Sequence, residues 1–157
     1  MAQKHERTLI IVKPDALQRN LLGDIIQRFE RKGLKIIGLR MISLDDLLLD
    51  KHYSHHKNKP FFNSLKSFMK SAPVVLMVLE GLEAVSAVRL ITGATKGREA
   101  DAGTIRGDFS MSGQCNIVHA SDSPENAEKE IEVLFQTDDL FDYDKIDKTF
   151  VYGDDEL

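Results

Sequence analysis

The stretch Val74-Val75-Leu76-Met77-Val78-Leu79, entered from Pro73, is apolar at every position. Successive side chains of a strand point to opposite faces of its sheet, so a run that is apolar at both parities needs cover on both faces. A second run of the same kind, Leu9-Ile10-Ile11-Val12, follows Thr8 and stops at Lys13-Pro14-Asp15. It reads as a strand passing into a loop, with Lys13 at the strand's C-terminal end. Helices on one side of such a sheet would leave the other side bare. Either extra helices or another subunit must cover it.

Outward from these two strands, Leu22, Ile25, Ile26 and Phe29 recur at helical spacing and Gly33 follows as a stop, which predicts a helix over about residues 21–32. A strand over 34–43 comes next. Residues 44–70 hold two short helical stretches broken by Asn58-Lys59-Pro60, with Phe61, Leu65 and Phe68 or Met69 on one face of the second. Leu82, Val85, Val88 and Arg89 predict a further helix closed by Gly93. From Gly93 to Cys115 the chain is dotted with glycine and keeps no period, and a loop that long in a compact domain is usually functional or disordered. Asn116 to Ala120 reads as a last strand. Beyond it Ser123 is a helix cap, Pro124 the first helical residue, and Ala127, Ile131, Leu134 and Phe135 a buried stripe. This order fits an α+β fold, a ferredoxin-like split βαβ sandwich with extra helices and a long loop before the last strand, better than a doubly wound sheet. Residues 1–157 read as a single domain without repeat or linker.

With 42% hydrophobic and 29% charged residues, the composition is that of a globular protein and excludes disordered, collagenous and disulfide-rich classes. Cys115 is the only cysteine, so no internal disulfide can form, and Met1 to Arg7 carry charge instead of an apolar signal run. A cytoplasmic location is the expectation. No membrane partner is expected either, because the run 74–79 is far too short to span a bilayer. The net charge of −4 and the acidic end Gly153-Asp154-Asp155-Glu156-Leu157 argue against nucleic acid as a main ligand.

Neither G-x-x-x-x-G-K-[ST] nor G-x-G-x-x-G occurs, so any phosphate chemistry must rest on side chains. The long loop supplies them: Thr95, Lys96, Arg98 and the block Gly103-Thr104-Ile105-Arg106-Gly107-Asp108 place hydroxyl and guanidinium donors among glycines that let backbone approach an anion. His119 stands just beyond. Together with Lys13-Pro14-Asp15, His52-Tyr53, Lys59-Pro60-Phe61-Phe62, Ala72-Pro73-Val74-Val75 and Asn116-Ile117-Val118-His119-Ala120-Ser121-Asp122-Ser123, this pattern resembles the nucleoside diphosphate kinase family from about Arg7 to Tyr152. The blocks around Arg106 and His119 are highly specific as a pair.

The resemblance implies a γ-phosphoryl transfer from a nucleoside triphosphate to a diphosphate, by a ping-pong mechanism through phosphohistidine at His119. A neutral imidazole, with an ordinary pKa near 6.5, is nucleophilic at pH 7 without further activation. Glu130 would orient its second ring nitrogen with Ser121 in support, although alone Glu130 reads as one solvated charge of the Glu-rich stretch 125–132. Lys13, Arg89, Thr95 and Arg106 would bind the phosphates, Tyr53 would hydrogen-bond near the transferring group, Asn116 would meet the ribose, and Phe61 would stack on the base. Phe62 reads as core. His52, His55 and His56, at i, i+3 and i+4, lack a fourth zinc ligand and read as a solvated cluster, so no resident metal is expected. Mg²⁺ would arrive with the nucleotide, held by phosphate oxygens and water. A homo-oligomer is expected, a hexamer in preference to a tetramer.

Three departures from the family pattern stand out. Ala120 stands where Gly is usual, and would cost about 1 kcal/mol if that residue must take φ > 0. Lys96-Gly97 replaces Asn-Pro and Gln114-Cys115 replaces Gly-Arg, which bears on rate and loop rigidity. The competing reading is a catalytically silent member of the fold, a nucleotide-sensing or partner-binding module with DNA among its conceivable ligands, which would take no acid-labile, base-stable label from γ-labelled ATP.

Overall fold

A computed structural model describes residues 5–157. In chain order the elements are β1 (His5–Val12), α1 (Pro14–Gln18), α2 (Leu22–Lys32), β2 (Lys35–Ile42), α3 (Asp46–His52), α4 (Phe62–Met69), β3 (Val74–Leu82), α5 (Ala84–Thr92), α6 (Ile105–Phe109), β4 (Val118–Ala120), α7 (Pro124–Leu134) and α8 (Lys148–Val151), with short 3₁₀ turns between some of them. The four strands lie in the order β2-β3-β1-β4 and every neighbouring pair is antiparallel. With α2 and α5 as the crossovers, this is the split βαβ arrangement.

The central strands β1 and β3 are covered on both faces, as their two apolar parities require. Ile10, Val12, Val75, Met77 and Leu79 pack under α2 and α5 with Ile25, Phe29, Ala84 and Val88. Leu9, Ile11, Val74, Leu76 and Val78 pack with Leu49 of α3, Met69 of α4 and Ile131 and Leu134 of α7. The extra helices therefore supply the second cover within one chain.

Several boundaries differ from the sequence reading. Pro14 opens a five-residue helix where a loop is predicted, because a proline at the first helical position needs no amide partner. β3 runs on to Leu82, so Leu82 ends a strand instead of opening a helix. The glycine-dotted loop contains α6, capped by the Thr104 hydroxyl accepting from the Gly107 amide at 3.0 Å, and a 3₁₀ turn at Gly97–Glu99. The last strand begins at Val118, not Asn116. Gly33 ends α2 in the left-handed conformation, and Ser123 caps α7 by accepting from Asn126 at 3.1 Å, both as the sequence predicts.

Candidate active site

Pairing of β4 with β1 sets His119 opposite Ile11 and Ala120 opposite Ile10. Val118 and Ala120 belong to the core under α2 and α5, so strand alternation turns His119 to the face of α3 and α7. On α7, Glu130 follows Ala127 by three residues and is carried inward by the same stripe that buries Ala127 and Ile131. His119 Nε2 lies 3.0 Å from Glu130 Oε1, and Glu130 Oε2 accepts from the Ser121 hydroxyl at 2.5 Å. Burial opposes the charge on Glu130, but the hydrogen bond and charge of His119 and the Ser121 hydroxyl outweigh it and hold the carboxyl below its usual range. An ionised carboxylate only accepts, so Nε2 must carry the proton, which leaves Nδ1 of the neutral ring with the free lone pair.

Facing the histidine is a group of cations held in place by backbone. Asn116 Oδ1 accepts from Lys13 Nζ at 2.6 Å, and Asn116 Nδ2 donates to the Thr95 carbonyl at 2.8 Å. Arg106 donates from Nε to the Asn116 carbonyl at 3.2 Å, from Nη1 to Gly93 at 2.8 Å and from Nη2 to Val118 at 2.8 Å. None of these partners is a carboxylate; Asp15 offsets the Lys13 charge only in part, and no carboxylate offsets that of Arg106. Burial, then the like charge of Arg106, pushes Lys13 down to about 8, and burial followed by Arg89 pushes Arg106 down to about 10. Ile117, a β-branched residue at φ 75°, makes the connecting turn, with the Val118 amide bonded to the Asn116 carbonyl at 2.8 Å and its own amide donating to Asp15 at 3.1 Å. Such a conformation is strained for isoleucine, and it lets Asn116 and His119 point into the same space.

That space is a cleft of about 860 Å³, lined by Lys13, Arg89, Thr95, Arg106, Asn116, His119, Glu130 and Tyr53 among others. Its size suits a nucleotide. Ser121 lies fully buried behind Glu130. Phe61 is half exposed beside His56, ring centroids 5.2 Å apart, and stands outside the cleft wall, which Leu65, His55 and His56 line instead. Phe62 is core as predicted, and Tyr53 is buried with its ring against His52. Burial pushes the Tyr53 phenol above its usual range.

The three-histidine cluster is not one solvated face. α3 ends at His52 because Tyr53 leaves the helical conformation, and His55 and His56 sit on a separate 3₁₀ turn. His52 turns inward, with its ring centroid 4.8 Å from that of His119 in an edge-to-face contact, and neither of its ring nitrogens has a hydrogen-bond partner among the described residues. Burial, then the charge of His119, pushes its imidazole down to about 3. His52 is thus a site residue that spacing alone misassigns. Its signal was position, directly before Tyr53.

The departures prove local. Ala120 sits in β4 with negative φ, so the expected strain does not arise. Gly97 lies against Ser110, whose carbonyl would be 2.3 Å from an added Cβ, and its amide donates to the Ser112 carbonyl at 3.0 Å. The amides of Gln114 and Cys115 both donate to the Ser112 hydroxyl, so the loop is pinned through its backbone.

The model of the nucleoside diphosphate kinase family matches residues 6–140. A nucleoside diphosphate kinase of Parabacteroides distasonis is 50% identical over 152 residues, covering 97% of this chain and 99% of that protein, and one of Pyrococcus abyssi is 51% identical, covering 92% and 93%. Among solved structures, the Halobacterium salinarum nucleoside diphosphate kinase in complex with CDP is similar with TM-score 0.92 and 44% identity, covering 95% of this chain and 99% of that one. A transition-state mimic of the Borrelia burgdorferi nucleoside diphosphate kinase with bound vanadate and ADP has TM-score 0.87 and 36% identity, covering 93% and 96%.

Proposed function

Since this chain belongs to the nucleoside diphosphate kinase family and is a phosphotransferase of that kind, we propose that it works by ping-pong transfer through a phosphohistidine at His119. The observation that carries this reading is the chain Ser121–Glu130–His119, with contacts of 2.5 and 3.0 Å, opposite two buried cations that make no hydrogen bond to a carboxylate.

The Nδ1 lone pair attacks the γ-phosphorus, the bond from phosphorus to the β–γ bridging oxygen breaks, and its electrons leave on the diphosphate. No proton has to move. The ring becomes positive on gaining phosphorus at Nδ1 while Nε2 keeps its hydrogen, and Glu130 balances that charge. Lys13 and Arg106 offset charge on the phosphates, with Arg89 and Thr95 beside them, Tyr53 completes the phosphate side, Asn116 addresses the ribose, and Phe61 stacks on the base at the mouth. The second half-reaction reverses the first with a different diphosphate. Bound CDP and ADP in the Halobacterium salinarum and Borrelia burgdorferi enzymes support nucleotides as the ligands.

A Mg²⁺ ion fits this donor set only as cargo of the nucleotide, since the phosphate end presents cations and amides and no carboxylate cage. When bound it neutralises phosphate charge. Residues 1–157 act as a single domain in this reading, with a cytoplasmic location and without a nucleic-acid ligand. Among the described residues no helix is long and apolar enough to cross a membrane. A hexamer is favoured over a tetramer as the assembly, and exposed apolar groups such as Met41 on β2 and Ile146 and Phe150 near the C-terminal end favour association.

Initial rates with ATP and a second diphosphate test the mechanism. Parallel double-reciprocal lines are expected, and lines that intersect would overturn the phosphohistidine route, because they require both nucleotides on the enzyme at once.

A further inference from the structure

A buried histidine with neither nitrogen bonded is costly, since burial removes water from its polar groups without a replacement partner. His52 is such a residue, and the groups nearest to its ring are not apolar. His52, His119 and Glu130 each offer one ligand atom, and all three atoms lie within 4.8 Å of one another. We propose that His52, His119 and Glu130 form a site for a borderline-soft divalent cation such as Zn²⁺, and that its occupation switches off phosphoryl transfer.

The donor set is two imidazoles and one carboxylate, which suits Zn²⁺ and disfavours Mg²⁺, a cation that takes oxygen ligands and keeps its water. Bonds of about 2.0–2.1 Å to each donor in a tetrahedral set require the triangle to contract by up to roughly 1.5 Å on its longest edge. All three residues line the cleft, where side-chain rotation would supply that contraction. A fourth position faces the cleft and would be filled by water. Three protein ligands and an open position are the pattern of an exchangeable zinc site, not a closed structural one. His55 and His56 are not part of the cluster: they sit on the separate turn after α3, their rings tilted against each other with centroids 3.9 Å apart.

The effect on chemistry follows from the ring's two nitrogens, and rests on the phosphohistidine reading. In the metal-free enzyme Nε2 carries the hydrogen and points at Glu130. A cation bound at Nε2 takes that lone pair, so the ring's hydrogen passes to Nδ1 through water. Nδ1 then has no lone pair for phosphorus. The same cation also draws the Glu130 carboxylate away from its task of balancing the phosphorylated ring. Binding and transfer are mutually exclusive, and the nucleotide's own Mg²⁺ does not compete for the site.

Calorimetric titration of the full chain with Zn²⁺ in excess Mg²⁺ tests the site without reference to activity, and Co²⁺ substitution supplies a visible spectrum for the nitrogen-containing tetrahedral set. One Zn²⁺ per chain is expected. His52→Ala and His52→Asn should each weaken binding at least tenfold, the second controlling for repacking, while the pair His55→Ala and His56→Ala should change it less than twofold. Equal affinity in wild type and both His52 variants, or loss of binding in the His55 and His56 variant, would overturn the proposal. Labelling of the Zn²⁺-loaded protein by γ-labelled ATP should fall at least tenfold and return on chelation. Undiminished labelling at saturating Zn²⁺ contradicts the inhibitory role, whereas a metal-free protein that never labels refutes the phosphohistidine reading and leaves the binding result to stand alone.

Discussion

The two walls of the cleft are built on opposite principles. The histidine wall rises from regular elements: β4 aims His119, α7 delivers Glu130, and the Glu130 carboxylate is paired with both His119 and Ser121. The cation wall brings Lys13, Thr95 and Asn116 from loop ends beside one strained turn, Arg89 from α5 and Arg106 from the short α6, and the charges of Lys13 and Arg106 are held by carbonyl and amide oxygens instead of carboxylates. One wall is satisfied before substrate arrives. The other carries a deficit that only an anion relieves, so it spends folding stability on substrate binding. Changes on the first wall should therefore act on the rate of chemistry, and changes on the second on affinity and stability in opposite directions.

The largest effect belongs to the nucleophile. His119→Ala should lower transfer by about 10⁴-fold or more while nucleotide dissociation constants stay within a few-fold, because the ring meets phosphorus and adds little ground-state affinity. Steady-state rates with equilibrium titration of the variant check both halves, and residual turnover near wild type would remove His119 from the mechanism. Glu130→Gln comes next. It keeps the shape but removes the charge that fixes the proton on Nε2, so kcat should fall by roughly 10²-fold with little change in affinity. A loss confined to nucleotide affinity would move Glu130 to the other wall.

Lys13→Met breaks the comparison from the cation side. The lysine is charged in the folded protein only below about pH 8, whereas the unfolded chain keeps that proton up to its ordinary value of 10.5. Between these values the unfolded chain binds more protons, so stability rises with pH; the cost of the buried charge is full below pH 8 and fades toward 10.5. Lys13→Met should therefore raise stability by roughly 1–3 kcal/mol at pH 7, with the gain shrinking above pH 8, and should weaken nucleotide binding. Urea unfolding at pH 7 and pH 10 measures this. A variant less stable than wild type at pH 7 would mean that the bond to Asn116 outweighs the desolvation. The smallest effect is on base choice. Stacking on Phe61 at the open mouth tells bases apart weakly, so kcat/KM for ADP, GDP, CDP and UDP should spread over about one to two orders of magnitude, and a 10⁴-fold preference would reveal a base reader.

The contrast between the walls also decided what could be read from sequence. Leu9 to Val12 and Val74 to Leu79 are apolar at both parities, and that alone required the two-sided cover that α3, α4 and α7 provide. Ser123, Pro124 and the stripe from Ala127 placed the helix that carries Glu130, although Glu130 itself looked like its solvated neighbours until the family pattern singled it out. The cation wall was legible only as a list of donors. Its geometry depends on the turn at Ile117, and no propensity rule places isoleucine at positive φ, so the strand was expected two residues early. His52 was misread because i, i+3, i+4 spacing presumes an unbroken helix, and Tyr53 ends it.

Whether Nδ1 of His119 takes the phosphoryl group is tested most directly by brief incubation of the full chain with γ-labelled ATP and Mg²⁺. One label per chain is predicted, labile in acid, stable in base, discharged by a nucleoside diphosphate and absent from His119→Ala. Label that survives acid, or that persists in His119→Ala, would contradict it.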